Sequence, residues 1–322
     1  MQAVFVTAFD PENPAGAIRV DERPTPRVPD GWSLVHVRAA SLNHHDVWAA
    51  RGIGLTTDRL PMILGTDAAG VTDEGREVVV HGLITSPDWL GSEVLDPDLS
   101  LLSERHQGTF AEQVVVPTTN LLPKPETLSF EEAACLPTAW LTAYRMLFSQ
   151  SELSPGDTVL VQGSSGGLSS ALIALADAAG MRVWVTGRSD EKRQYAETLG
   201  ADATFAPGER LPSRVDAVMD SVGAATWTHS LKALRRGGTM VVAGGTGGYL
   251  AEVEVARVFA MGLRIIGSAV GTRDEFRRLL ALLGRSGLRP HIAEVFPLDA
   301  ASKAFARMAT GDLRGKLVLQ PG

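Results

Sequence analysis

Residues 158–192 read TVLVQGSSGGLSSALIALADAAGMRVWVTGRSDEK. Thr158 to Gln162 is a short, mostly apolar run, and Gly163, Ser164, Ser165, Gly166 and Gly167 follow it at once. From Ser169 to Ala179 nearly every residue is small or apolar, and Gly180 stops the run. Arg182 to Thr186 is a second strand-like run, closed by Gly187, Arg188 and Ser189. A strand that delivers a glycine turn to a helix start aims free backbone N–H groups at one point, where the helix dipole adds partial positive charge. That point suits a phosphate, and Gly163 to Gly167 with Leu168 form the expected cradle. An ordinary βαβ unit with a small-residue crossover would share these glycines, and the spacing is not the strict G-x-G-x-x-G fingerprint. The order strand, turn, helix, strand favours the dinucleotide reading. At the end of the second strand an acid would hold the 2′-hydroxyl of NAD. Arg188, Ser189 and Lys192 stand there instead. A cation and a hydroxyl suit a 2′-phosphate, so NADP(H) is the expected cofactor.

Working outward from this stretch, strand candidates recur at 158–162, 183–186, 202–205, 215–219, 239–243 and 264–268, with helical stretches at 169–179, 190–199, 225–234 and 252–261 between them. Alternating strand and helix predicts a doubly wound parallel α/β sheet with helices on both faces and its ligand at the carboxyl ends of the strands. Asp190 and Gly200 are the expected caps of the helix over 190–199. Ser221, Gly244, Gly245 and Thr246 fall at two such strand ends, and Ser268 at a third. Bare glycine backbone lets a nicotinamide and its ribose approach closely, although a flexible loop would also be glycine-rich.

The first 120 or so residues are β-rich instead, with runs at 4–6, 33–37, 77–80 and 113–116, and 86–107 is polar and loop-like. Phe130 to Phe148 has a helical pattern broken near Pro137. Two more helices are expected over 274–283 and 300–309, and a last strand over 316–319 that returns to the N-terminal domain.

The chain has 322 residues, enough for two domains, with 44% hydrophobic and 21% charged residues, as in an ordinary globular protein. Net charge is −7 and no basic block stands out, so a nucleic-acid partner is not expected. No apolar run approaches a membrane span, and the N-terminus lacks the pattern of a signal peptide, which leaves a cytoplasmic location as the default. The single cysteine, Cys135, can form neither an internal disulfide nor a cysteine zinc site.

Ser41-Leu42-Asn43-His44-His45-Asp46, Gly65-Thr66-Asp67-Ala68-Ala69-Gly70, Gly108-Thr109-Phe110-Ala111-Glu112, Leu136 to Tyr144 and the ending Gly315-Lys316-Leu317-Val318-Leu319 resemble, in order, motifs of the medium-chain dehydrogenase/reductase superfamily. The pattern is most similar to its quinone oxidoreductase-like branch. The resemblance implies a Rossmann cofactor domain over 122–271, a GroES-like catalytic domain over 1–121 and 272–322, and a homodimer or homotetramer. Zinc alcohol dehydrogenases of that superfamily hold their catalytic metal at positions that here read Asn43, Thr66 and Thr138, and the segment matching their structural-zinc lobe, 86–107, has no cysteine. No metal is therefore expected.

The resemblance also suggests roles. Asn43 would face the nicotinamide pocket, where its amide either donates to the substrate oxygen or only holds local backbone. His45 falls at a proton-relay position and either delivers a proton or is a buried, hydrogen-bonded histidine. His44 would contact the cofactor near its pyrophosphate, Thr142 would reach the nicotinamide amide or ribose, and Tyr144 would line the pocket or simply be core. Without a Lewis acid, a conjugated acceptor is easier to reduce than a simple ketone, because negative charge spreads through an enolate or hydroquinone anion. The expected activity is NADPH-dependent reduction of a small-molecule quinone or α,β-unsaturated carbonyl. The alternatives are reduction of an unsaturated acyl-thioester or biosynthetic intermediate, and a non-catalytic NADP-binding sensor or structural protein.

Overall fold

The computed structural model describes all residues, Met1–Gly322, and the chain divides into two compact units, Met1–Thr138 with Thr272–Gly322 and Ala139–Gly271. The second unit holds six parallel strands, in the spatial order Ala203–Phe205, Arg182–Thr186, Thr158–Gln162, Val215–Asp220, Leu234–Val242 and Arg264–Gly267. The order reverses beside Thr158–Gln162, all five of whose residues are buried, so its near-continuous apolar run follows from helices covering both faces. Leu160, Trp184, Val218 and Met240 from four neighbouring strands share one core cluster. The carboxyl end of Thr158–Gln162 is thus the switch point at which such sheets bind ligands.

The first unit is built on an antiparallel framework around the ten-residue strand Trp32–Ser41, which pairs with Asp67–Thr72 and Gln113–Pro117. The C-terminal strand Lys316–Gln320 pairs antiparallel with Trp32–Ser41 and parallel with Ile292–Pro297. This return makes the unit discontinuous in sequence. Helix Arg273–Ser286 starts at a capping box between Thr272 and Glu275 and buries Phe276, Leu279, Leu280 and Leu283, one stripe at helical spacing.

Several sequence-based boundaries shift. Residues 122–138, expected with the cofactor domain, belong to the first unit. Helix Phe130–Ala134, capped by Ser129 and Glu132, lies against the strands Trp32–Ser41 and Asp67–Thr72 and buries Ala133 and Ala134 there. The expected helix over 130–148 is four short pieces, with wider π-type turns at Leu136–Trp140 and Met146–Gln150. Strand Asp67–Thr72 escaped the pattern because it is mostly Ala and Gly: a Cβ on Gly70 would lie 2.1 Å from the His36 carbonyl oxygen, so backbone approach displaces side chains there. Strand Ile292–Pro297 also lacked a clean apolar alternation, and Ile18–Glu22 alternates over only four residues, Ile18 to Asp21.

Gly315 has φ +96°, and a Cβ there would stand 2.1 Å from the His291 carbonyl oxygen. Gly315→Ala is expected to cost about 1–3 kcal/mol in strain and clash, read as a lowered urea midpoint. Gly267→Ala, where an added Cβ meets nothing within 4 Å, should change it little.

Candidate active site

In the second unit, Gly163 leaves the central strand with φ +96°, a conformation other residues rarely adopt. Gly166 is the N-cap of helix Gly167–Ala178, and no side chain caps that end. The first-turn N–H groups of Gly167, Leu168 and Ser169 precede the first intrahelical bond, from Ser170 N–H to the Gly166 carbonyl at 2.8 Å. A Cβ added to Gly166 would meet no atom within 4 Å, so space stands open at the turn. Ser164 and Ser165 are buried flanks of it. This donor set fits a dinucleotide pyrophosphate.

Strand Arg182–Thr186 ends at Gly187, where a Cβ would stand 2.7 Å from Ser164 Oγ. The cap of the following helix, Asp190–Thr198, is Ser189 and not Asp190: Ser189 Oγ accepts from the Lys192 N–H. Arg188 is exposed and Lys192 buried, so the basic turn places one cation at the surface beside a capping hydroxyl. Arg193, which the sequence did not single out, donates to the Gly187 carbonyl at 2.6 Å and pairs with Asp190, fixing the turn.

Asp220 organises the next strand end. It is fully buried and accepts from the N–H groups of Val222 and Gly223, both at 2.9 Å, and from Thr226 Oγ1 and Ser230 Oγ. Gly223 and the glycines at 244, 245, 247 and 248 make room for neighbouring backbone as well as for any ligand. A Cβ on Gly223 would lie 2.5 Å from the Gly248 carbonyl oxygen, and one on Gly244 2.6 Å from that of Ser221. A cavity of about 210 Å³ lined by Gly223, Trp227, Gly244, Gly245 and Tyr249 opens beside them. Thr246 reaches the Ser221 carbonyl at 3.4 Å, and the buried Ser268 hydroxyl has no protein partner. Thr142 is buried on helix Leu141–Arg145, and the Tyr144 ring lies 4.9 Å from that of Phe148.

In the first unit, Asn43, Thr66 and Thr138 converge. Asn43 Nδ2 donates to Thr66 Oγ1 at 3.1 Å, and the Thr66 and Thr138 hydroxyls are 3.1 Å apart. Thr138 donates to Asp67 Oδ1 at 2.5 Å, and Ser41 to Asp67 Oδ2 at 3.1 Å. Lys316, which sequence reasoning placed only in a strand, completes the network. Its Nζ donates to Asn43 Oδ1 at 2.6 Å and to the Leu42 carbonyl at 2.7 Å, and lies 3.6 Å from Asp67 Oδ2. Lys316 is 4% exposed and Asp67 0%, so an ion pair closes a buried site. The Asn43 amide is engaged inside this network, with its Nδ2 also 3.5 Å from the Ser41 carbonyl.

Asn43 also begins helix His44–Ala50, where Asp46 accepts from the Asn43 N–H at 2.7 Å. His45 Nε2 meets Glu104 Oε1 at 3.0 Å, and its Nδ1 lies 3.9 Å from Asp46 Oδ1, an ion-pair contact too long for a hydrogen bond. Burial pulls the His45 pKa down, yet the two carboxylates outweigh it and hold the imidazolium up to about pH 9. Glu104, in the unread loop, is the partner sequence reasoning missed. His44 is exposed, with its ring 6.3 Å from Trp48. Cys135 donates to the Glu131 carbonyl, and burial pushes its thiol to about 12, so it is inert.

These two arrangements, a glycine-cradled switch point and a polar site beside the returning C-terminal strand, are those of a two-domain dehydrogenase. Residues 29–126 match the alcohol dehydrogenase GroES-like domain family and 167–285 the zinc-binding dehydrogenase family. An alcohol dehydrogenase of Geobacillus stearothermophilus is 30% identical, over 94% of this chain and 96% of its own. A solved NAD-dependent alcohol dehydrogenase superposes with a TM-score of 0.92 at 34% identity, covering 100% of both chains. A crotonyl-CoA carboxylase/reductase, AntE, solved with NADP, superposes with a TM-score of 0.92 at 25% identity, over 99% of this chain and 94% of that one. The chain belongs to the medium-chain dehydrogenase/reductase superfamily and is an oxidoreductase.

The zinc that the second family's name implies does not fit these residues. The three converging groups are an amide and two hydroxyls already bonded to one another, and an ammonium occupies the approach to Asn43. Nowhere do three His, Cys, Asp or Glu side chains group so as to hold a metal ion.

Lys316→Met should strand the Asp67 carboxylate and cost about 3–5 kcal/mol in urea denaturation, and adding Asp67→Leu should recover part of that loss. His45 has a folded pKa above its ordinary 6.5, so its contribution to stability is complete below pH 6.5 and lost as pH rises through about 9. Glu104→Gln should flatten that decline between pH 6.5 and 9 and lower the His45 pKa seen by NMR.

Proposed function

We propose that the protein is an NADP(H)-dependent reductase of a conjugated carbonyl or quinone that works without a metal. The observation that carries this reading is the Lys316–Asn43–Thr66–Thr138–Asp67 network, whose Asn43, Thr66 and Thr138 fall where the resemblance to zinc-dependent members of the superfamily puts the metal ligands. Such a site offers no Lewis acid to a localised alkoxide, whereas a conjugated acceptor spreads its charge as hydride arrives at the carbon β to the carbonyl. When bound, the reduced nicotinamide supplies that hydride. Gly163 to Leu168 hold the pyrophosphate through backbone N–H groups, and Arg188 with the Ser189–Lys192 turn takes the 2′-phosphate. His45, kept as an imidazolium by Glu104 and Asp46, supplies the proton that the α-carbon or quinone oxygen then needs. The AntE complex with NADP supports the phosphorylated cofactor.

A second reading keeps the chemistry and makes the acceptor an unsaturated acyl-thioester. It is favoured by the likeness to a crotonyl-CoA carboxylase/reductase along nearly the whole chain. The edge strand Arg264–Gly267 leaves one side unpaired and, with Ile265 and Phe259 exposed, suits pairing with a second copy of the chain. No helix is long and apolar enough to cross a membrane.

Purified protein should oxidise NADPH with quinones, cyclic enones or enoyl-thioesters and leave simple ketones untouched; turnover of plain alcohols alone would refute the reading. Arg188→Ala should raise the KM for NADPH about tenfold, the size of one lost charge-assisted hydrogen bond, and leave that for NADH nearly unchanged. Equal losses for both cofactors would remove the 2′-phosphate contact.

A further inference from the structure

A hollow of about 590 Å³ in the first unit, within the range of small-molecule sites, is not used by the reaction proposed above. Its wall carries Arg23, Arg27 and Arg105, and Trp32 and His106 line it with rings 5.2 Å apart and tilted by 45°. Three guanidiniums line one hollow in a chain of net charge −7. Arg23 is steadied over the Phe5 ring at 5.0 Å, and Arg105 donates to the Asp98 carbonyl at 3.0 Å and feels the nearby carboxylates of Asp96 and Glu104, so two of the three are held in place. Pro24, Pro26 and Pro29 stiffen the segment that carries Arg23 and Arg27, which reduces the entropy lost when a ligand is clasped. Ile63, Val114 and Val115 add apolar lining, and Gln107 and Gln113 add amides.

Guanidiniums recognise phosphate oxygens bidentately, and a tryptophan–histidine wall takes a flat ring. Burial and the neighbouring Arg105 and Arg59 lower the His106 pKa, so at neutral pH its ring is an uncharged aromatic surface. We propose that this hollow binds a small aromatic polyanion, a phosphorylated nucleoside, at a site separate from the glycine turn of the second unit. The arginines take the phosphates and the Trp32–His106 wall takes the base. The proposal stands independently of which acceptor the enzyme reduces.

The test is calorimetric titration of ADP into the whole protein carrying one equivalent of NADP⁺ per chain, which fills the glycine turn and leaves the hollow free. One further ADP per chain is expected, bound more tightly than inorganic pyrophosphate. Arg27→Ala/Arg105→Ala, both exposed positions whose change should not disturb folding, should weaken ADP at least tenfold, and Arg188→Ala should not weaken it. Trp32→Leu should erase the advantage of ADP over pyrophosphate. No second equivalent, undiminished binding in the double arginine variant, or equal affinity of wild type for ADP and pyrophosphate would each overturn the proposal.

Discussion

Burying an ammonium is costly unless every one of its protons finds an acceptor. Lys316 offsets that cost with hydrogen bonds to the Leu42 carbonyl and Asn43 Oδ1 and an ion pair with Asp67 Oδ2 at 3.6 Å. Those partners lie near the beginning of the chain and Lys316 near its end, so one side chain ties the returning strand Lys316–Gln320 to strand Trp32–Ser41 and helix His44–Ala50. Gly315 beside it turns with a positive φ against the His291 carbonyl, Asn43 Nδ2 meets Thr66, and Thr138 meets Asp67 from the end of the 122–138 segment of the first unit. The same tie bears on the proposed chemistry, because a buried positive charge already stands beside Asn43 and Asp67.

What the sequence discloses is what local pattern encodes. The strand Thr158–Gln162, the glycine turn and helix Gly167–Ala178 are legible because their period and their glycines lie within one short stretch. Asp67–Thr72 is not, since its small residues record the closeness of a neighbouring backbone that only the fold supplies. Glycines 244 to 248 are visible in the sequence, but their packing against 221–223 is not. The site shows the same division. Asn43 and His45 can be found from a motif, whereas Lys316 and Glu104 act on them across 273 and 59 residues of chain, and no spacing rule connects such pairs.

The two histidines at the start of helix His44–Ala50 show how environment separates identical side chains. His44 faces outward against Trp48, while His45 turns to two carboxylates and keeps its proton far above the usual histidine range. A third histidine, His81, is buried without a hydrogen-bond partner; burial, with Arg273 and Arg277 nearby, drives its pKa down to about 3. Of these three, only His45 has its pKa raised, and 15% of its side chain is exposed.

The central claim is that Lys316 and its hydrogen-bonded neighbours replace a metal ion in a working reductase. Elemental analysis of the purified, active protein, coupled to assay before and after exhaustive chelation, tests it most directly. The account predicts well under one zinc per chain and unchanged NADPH-dependent turnover after chelation. One tightly held zinc per chain, with activity lost on its removal and restored on refilling, would contradict it.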